Sequence, residues 1–259
     1  MVKGLYTAYT GMLNEQNRMD IMTNNLANAS TVGYKKEGST SQSFDDVLTV
    51  KIKDQSVGMR NAQKIGIKNP GVKIGENYTD YSQGSFRITG NTYDLALSGE
   101  GFFAIEFTNK AGETDTKYTR AGQFTLNKDG YLVTEEGDYV LDTQNRRIRL
   151  NTLIDSSITD DGTIYQNGQA MAKIQVTDFA DYDYLEKYGE TYYQPIQGAQ
   201  TIASNARVKS GYLEMANVQI VSEMVNLISI TRAYESNQKV VQTIDDTLDV
   251  AVNQIGRVQ

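Results

Sequence analysis

Gly99-Glu-Gly101-Phe-Phe-Ala104 has the spacing of a dinucleotide-binding turn, in which glycines let the backbone approach a pyrophosphate held at a helix N-terminus. That chemistry needs a helix to follow. Phe102-Phe-Ala-Ile-Glu-Phe107 alternates like a strand, so the expectation is a glycine turn between two strands. Asn127, Asp129, Gly130 and Glu136 occupy positions three, five, six and twelve of a calcium loop. Position one falls on Thr125, which brings no carboxylate, and strand-like segments flank the loop where the calcium motif needs helices, so a hairpin is expected instead. Asp178, Asp181 and Asp183, and the pair Asp160-Asp161, bring carboxylates close in sequence. Two carboxyl groups at ~5–9 Å hydrolyse glycosides, but on a tyrosine-rich loop these read as solvated surface. No G-x-S-x-G, phosphate loop or zinc spacing occurs. With no His and no Cys, the chain lacks the commonest general base, thiolate ligands and any disulfide framework. The residue inventory therefore supports no enzyme, no metal, no cofactor and no small-molecule substrate.

The charge balance narrows the partners. Lys and Arg number 25 against 32 Asp and Glu, a net charge of −7 over 259 residues. Phosphate backbones need clustered cations, and here Lys35-Lys36 and Arg146-Arg147 come only in pairs, so nucleic acid is not expected. No window approaches 18 consecutive apolar residues, so no membrane insertion is expected. Lys3 is the one early cation, and Asn14, Glu15, Gln16 and Asn17 interrupt any apolar run, which does not read as a cleavable secretory signal.

The elements around these motifs divide by periodicity. Leu5, Tyr9, Met12, Gln16, Met19, Thr23 and Leu26 recur at alternating intervals of four and three, five of the seven apolar, and predict a helix that stops in the Asn-rich 24–28 stretch before Gly33. Ile220, Met224, Leu227, Thr231, Tyr234, Gln238, Val241, Asp245, Leu248, Val252 and Ile255 repeat the pattern over a longer span. A helix of about 40 residues would be ~60 Å long and needs a partner along its length. Thr231, Gln238 and Asp245 recur every seven residues; they either fix register in a seam or mark a wet face.

Between the helices the pattern changes. Residues 85–180 read as short strands separated by Asn127-Lys-Asp-Gly130, Glu136-Gly137-Asp138, Asp161-Gly162 and Asn167-Gly168, which predicts an antiparallel body and not βαβ units. The fold class expected is α+β: terminal helices pairing as a coiled-coil-like layer, with a central antiparallel β-rich module. The expected divisions are 1–34 for the N-terminal helix, 35–80 for a connector with short strands, 81–210 for the β-rich module and 211–259 for the C-terminal helix. Tyr182, Tyr184, Tyr188, Tyr192 and Tyr193 form either a contact surface or a satellite core.

Three blocks then carry a resemblance. Thr10-Gly-Met-Leu13 with Asn24-Asn25-Leu26-Ala-Asn28-Ala-Ser-Thr31-Val-Gly33-Tyr34-Lys35 resembles the N-terminal signature of the flagellar rod and hook protein family. The stretch 81–97, Gly99-Glu-Gly101-Phe102-Phe103 and Tyr118-Thr-Arg120-Ala-Gly122 resemble its core β module. Residues 210–218, 223–228 and Arg232-Ala233-Tyr234-Glu235 resemble its C-terminal signature. Ala29-Ser30 departs from the Val-Asn pair common there, which leaves the fold expectation intact. The resemblance implies a structural subunit of the proximal or distal rod type, exported by the flagellar type III apparatus. Its expected partners are copies of itself and neighbouring rod or hook proteins, and its expected place is the basal body outside the cytoplasmic membrane. Residues expected to pack subunits are Leu5, Tyr9, Met12, Met19, Leu26, Ile220, Met224, Leu227, Tyr234, Val241 and Leu248. Rival readings are a hook protein, which is usually longer, a secreted cell-wall-acting β-domain enzyme, and a binding module using the tyrosine cluster; the last leaves the long helix unexplained.

Overall fold

In the computed structural model, residues 2–52, 62–109 and 112–255 are described, apart from the side chains at 2, 3, 50–52, 62–65, 254 and 255. The middle of the 35–80 connector and the side chain of Ile255 thus lie outside the described residues. The chain forms two compact units. One contains helix α1 (Val2–Ala27) except its last residue, strands β1 (Glu37–Ser43), β2 (Val47–Ile52), β3 (Ala62–Lys68) and β4 (Val72–Thr79), and helix α2 (Ile220–Val250). The other contains 27–36 and 81–219. Two helices at the ends and an antiparallel β-rich middle establish the α+β class.

In the first unit, β1 pairs antiparallel with β4 and β2 with β3, so the segment expected as a connector with short strands has its strands in a nested two-stranded ribbon. One face of α1 meets it. Thr7 Oγ1 donates to the Pro70 carbonyl at 3.1 Å and Ser41 Oγ to Asn14 Oδ1 at 2.9 Å. The Asn25 amide bonds both backbone groups of Glu37, at 2.9 and 2.7 Å. Another face of α1 approaches α2: a methyl on Gly11 would stand 3.0 Å from Asn237 Nδ2, and one on Gly4 3.6 Å from Ile244 Cδ1. These two contacts run in opposite directions along the helices.

The covered positions of α2 are Glu223, Leu227, Ile230, Tyr234, Asn237, Val241, Ile244 and Leu248, continued by Ala251 just beyond it, with Thr231 and Ala233 beside them. The main stripe alternates four and three as expected, yet every second member falls one residue earlier than the sequence pattern put it. Gln238 and Asp245 consequently stand exposed on the wet face, and Asn237 takes the polar place in the stripe. Thr231 is half-buried and returns its hydroxyl to the Leu227 carbonyl at 2.8 Å.

The second unit is built on one antiparallel sheet. Its strands run, in spatial order, Leu185–Tyr188, Tyr192–Pro195, Thr114–Thr119, Phe102–Thr108, Tyr139–Val140, Leu132–Thr134 and Phe124–Leu126. Val176–Phe179 also pairs with Phe102–Thr108 and carries Thr201–Ala203 on its far side. Strand alternation sends consecutive residues to opposite faces. Phe103 enters a core with Leu95, Leu97, Phe124, Leu132, Val140 and Ile174, while Phe102 enters another with Tyr118, Leu141, Phe179, Leu185 and Tyr193. The Phe103 and Phe124 rings meet edge-on at 5.2 Å, a geometry the ring quadrupoles favour. The turns fall where sequence placed them: Phe124–Leu126 pairs with Leu132–Thr134 across the 127–130 turn, and Gln166 opposite Gln169 leaves Asn167-Gly168 as a two-residue hairpin loop.

Candidate functional site: helix faces and a buried ionic cluster

The motifs weighed for chemistry resolve into local structure. After Gly101 the chain continues as the strand Phe102–Thr108, so no helix N-terminus is present there to hold a pyrophosphate. Asn127 Oδ1 accepts from the amides of Asp129 and Tyr131 at 3.0 and 2.8 Å, which spends the proposed calcium ligand on closing its own turn. Asp178 is buried and accepts from the Tyr182 hydroxyl at 2.8 Å; Asp181 caps the short turn Tyr182–Tyr184 through the Asp183 amide. The Asp161 carboxylate, held by the Thr159 and Thr163 hydroxyls, is lowered to about 2.

The tyrosine cluster divides between the two readings offered for it. Tyr182 and Tyr193 surround Phe102 with ring centroids at 5.9 and 5.3 Å, a satellite core, whereas Tyr184 and Tyr188 are exposed. Tyr192 is buried, and its hydroxyl donates to Asp138 Oδ2 at 2.8 Å beside Thr134 Oγ1 at 3.3 Å. Burial, reinforced by the Asp138 carboxylate, pushes this phenol well above its ordinary range. The folded chain then keeps a proton that the unfolded chain loses above about pH 10, so stability must fall as pH rises past that point. Urea midpoints measured from about pH 9 to 11.5 should decline steeply for the native chain. For Tyr192→Phe, which at neutral pH loses ~1 kcal/mol of hydrogen bonding, they should decline less.

Two exposed apolar faces stand out on the helices. On α1, Tyr6, Tyr9 and Leu13 share one side, 59, 50 and 42% exposed. On α2, Ile220, Val221, Met224, Val225 and Ile228 share another, Val221 reaching 77%. The stretch 4–14 has no charged residue, and in 220–231 the one charge, Glu223, is buried. The Gly4–Ile244 and Gly11–Asn237 approaches set residues 6–13 beside roughly 235–242, so the two faces lie at opposite ends of the helix pair, on the order of 20 Å apart at 1.5 Å per residue. Of the residues expected to pack subunits, Tyr9, Ile220 and Met224 are exposed in these faces. Leu5, Met12, Met19, Leu26, Leu227, Tyr234, Val241 and Leu248 are half-covered within the chain. Tyr6, Leu13, Val221, Val225 and Ile228 were missed because a single 4-3 stripe captures one helix face and these helices have two. On the ribbon, cross-strand partners Leu48 and Ile67 are also exposed.

The signature residues gather elsewhere. Asn28 Oδ1 accepts from Thr31 Oγ1 at 3.0 Å, and the ring of Tyr34, wholly buried, carries the Lys187 ammonium 4.3 Å above it. Arg232 and Glu235 are exposed on α2 with Ala233 and Tyr234 half-covered, and Asn24 is exposed on α1. Arg120 sits 5.3 Å over the Phe102 ring and donates to Glu214 Oε2 at 3.3 Å. Glu214 Oε1 in turn accepts from Lys35 Nζ at 2.7 Å and from the Gly84 amide at 3.0 Å. Lys35, Arg120 and Glu214 are each at most 3% exposed. Sequence reasoning named Arg120 among the signature residues but missed the cluster; Lys35 and Glu214 lie inside the signature segments, directly after Tyr34 and Leu213.

Two terminal helices with exposed apolar faces and an antiparallel body with a buried ionic cluster are the features to be placed in a family. The family described as "Flagella basal body rod protein" matches residues 5–35, "Flagellar hook protein FlgE/F/G D1 domain" matches 96–168, and "Flagellar basal body rod FlgEFG protein C-terminal" matches 209–255. The flagellar basal-body rod protein FlgG of Bacillus subtilis (strain 168) is 34% identical over 98% of this chain and 99% of its own. The hook-basal body complex protein FlhO of the same strain and the rod protein FlgF of Caulobacter vibrioides are each 30% identical over the whole of both chains. The chain belongs to the flagellar basal-body rod protein family, a structural and not an enzymatic family.

Proposed function

We propose that this rod subunit stacks on copies of itself through the two apolar helix faces, the Tyr6/Tyr9/Leu13 face of one copy seating on the Ile220–Ile228 face of the next. The single observation carrying the proposal is their placement: two uncharged apolar surfaces at opposite ends of one helix pair. A contact between different surfaces is head-to-tail, and where its rotation does not close a ring, repetition generates a helical filament. In this reading α1 and α2 pair as a coiled-coil-like layer, with Leu227, Tyr234, Val241 and Leu248 between them. The β body and the Leu48/Ile67 ribbon face brace neighbours, and the filament transmits torque towards the hook. Neighbouring rod or hook proteins continue the same contacts at its ends. Export is through the flagellar type III apparatus, to the basal body beyond the cytoplasmic membrane. No residue is assigned to membrane insertion.

The absence of Cys makes the test direct. Leu13→Cys and Val225→Cys chains, mixed at high concentration and oxidised, should give disulfide-linked dimers, whereas neither alone should. Electron microscopy of the mixture should show filaments. Same-site dimers, or filaments without the 13–225 link, would refute the stacking mode.

A further inference from the structure

We infer that Glu214 is a positioning residue that makes two remote stretches of the β body order as one, 33–36 near the N-terminal helix and 211–217 before the C-terminal one. Three stretches converge on it. The Gly33 amide donates to the Glu214 carbonyl at 2.8 Å, and the Gly84 amide donates to its carboxylate. Lys35 Nζ spans the carboxylate and the Ser82 carbonyl at 2.7 and 2.8 Å. Asn217 repeats the arrangement one step outward: its Oδ1 accepts from the Lys36 amide at 2.7 Å, and its Nδ2 donates to Ser82 Oγ at 3.0 Å.

The chemistry makes the coupling obligatory. An ammonium buried as deeply as Lys35 is stable only beside a counter-charge, and a carboxylate buried as deeply as Glu214 only with its lone pairs occupied. Lys35 therefore cannot dock with its charge intact until Glu214, 179 residues away in sequence, is in place. Arg120 is preset on the β body, over Phe102, and gives the incoming carboxylate its first partner. Tyr34 and Leu213 are buried in the same two stretches, but apolar burial is non-directional and tolerates either order of docking. The ion pair does not.

Hydrogen exchange on the full chain tests this. Glu214→Gln should raise exchange at least about tenfold, ~1.4 kcal/mol of local opening, at 33–36, 82–84 and 212–214, while the strand 102–108 keeps its protection. Adding Lys35→Met removes the stranded ammonium and should restore protection at 82–84 and 212–214. Asn217→Ala, a milder change that leaves the ions in place, should loosen 36 and 82 alone. Unchanged exchange at 33–36 in Glu214→Gln, exchange rising equally through 102–108, or failure of Lys35→Met to restore protection would each overturn the inference. None of these readouts depends on filament formation, so the stacking proposal stands or falls separately.

Discussion

Phe103→Ala should lower the stability of the β body by about 3–5 kcal/mol, the largest loss expected from any single truncation in it. Phe103 is wholly buried at the centre of the larger core, edge-on to Phe124 and packed with Leu95, Leu97 and Val140. Alanine leaves a cavity whose walls come from separate strands and cannot collapse together. Thermal unfolding should move down by about 6–20 °C, and the urea midpoint should fall with it. Leu153→Ala, a large apolar residue 92% exposed, is the matched control and should shift stability by no more than about 0.5 kcal/mol. Equal effects at 103 and 153 would contradict the core assignment.

Gly33→Ala should cost about 2–6 kcal/mol, because two penalties coincide there. Gly33 has φ +71°, a left-handed backbone, and an added Cβ would stand 2.3 Å from the Ala121 backbone nitrogen. Backbone cannot swing away as a side-chain tip can, so either Ala121 or the 31–35 segment must move, and with it the Gly33–Glu214 bond. Gly137 separates the two causes. It has φ +98°, and a methyl added there would meet no atom within 4 Å, so Gly137→Ala carries the conformational penalty alone, ~1–2 kcal/mol. Chemical denaturation of both variants measures the difference; equal losses would remove the steric account.

The parts of this molecule legible in sequence are those governed by local chemistry. The 127–130 and 167–168 turns announce themselves because only certain residues tolerate their backbone, and Phe102-Phe103 reads as strand because its neighbours alternate. The helices were legible in existence and in period. Their stripe was displaced at every second position because Ile230 and Ile244, not Thr231 and Asp245, turn inward, and that choice depends on what packs against them. The nested ribbon at 37–79 was under-read: Gly, Lys and Asn suggest a connector with short strands, but ladder pairing between β1 and β4 joins residues far apart in sequence and leaves no local periodicity. The Lys35–Glu214–Arg120 cluster was least legible, because charge pairing between residues 179 and 94 positions apart has no spacing rule. The three family blocks marked its neighbourhood without indicating its chemistry.

The adjacency of Phe102 and Phe103 has a consequence for how the central strand finds its alignment during folding. In a sheet with one wet face, slipping by one residue throws every apolar side chain into water, and that penalty enforces alignment. Here both faces are buried, so a slip that moves each residue back one place keeps Phe103 in a core, in the place of Phe102, but sets Ala104 in the place of Phe103 and Glu106 in the buried place of Ile105. Sterics add to that penalty at Gly101: it has φ +133°, and any Cβ there would lie 2.5 Å from Ser204 Oγ. A one-residue shift would push Phe102 into that glycine-sized space, where it does not fit. The smallest residue of the segment thus acts as the gauge that rejects misaligned chains.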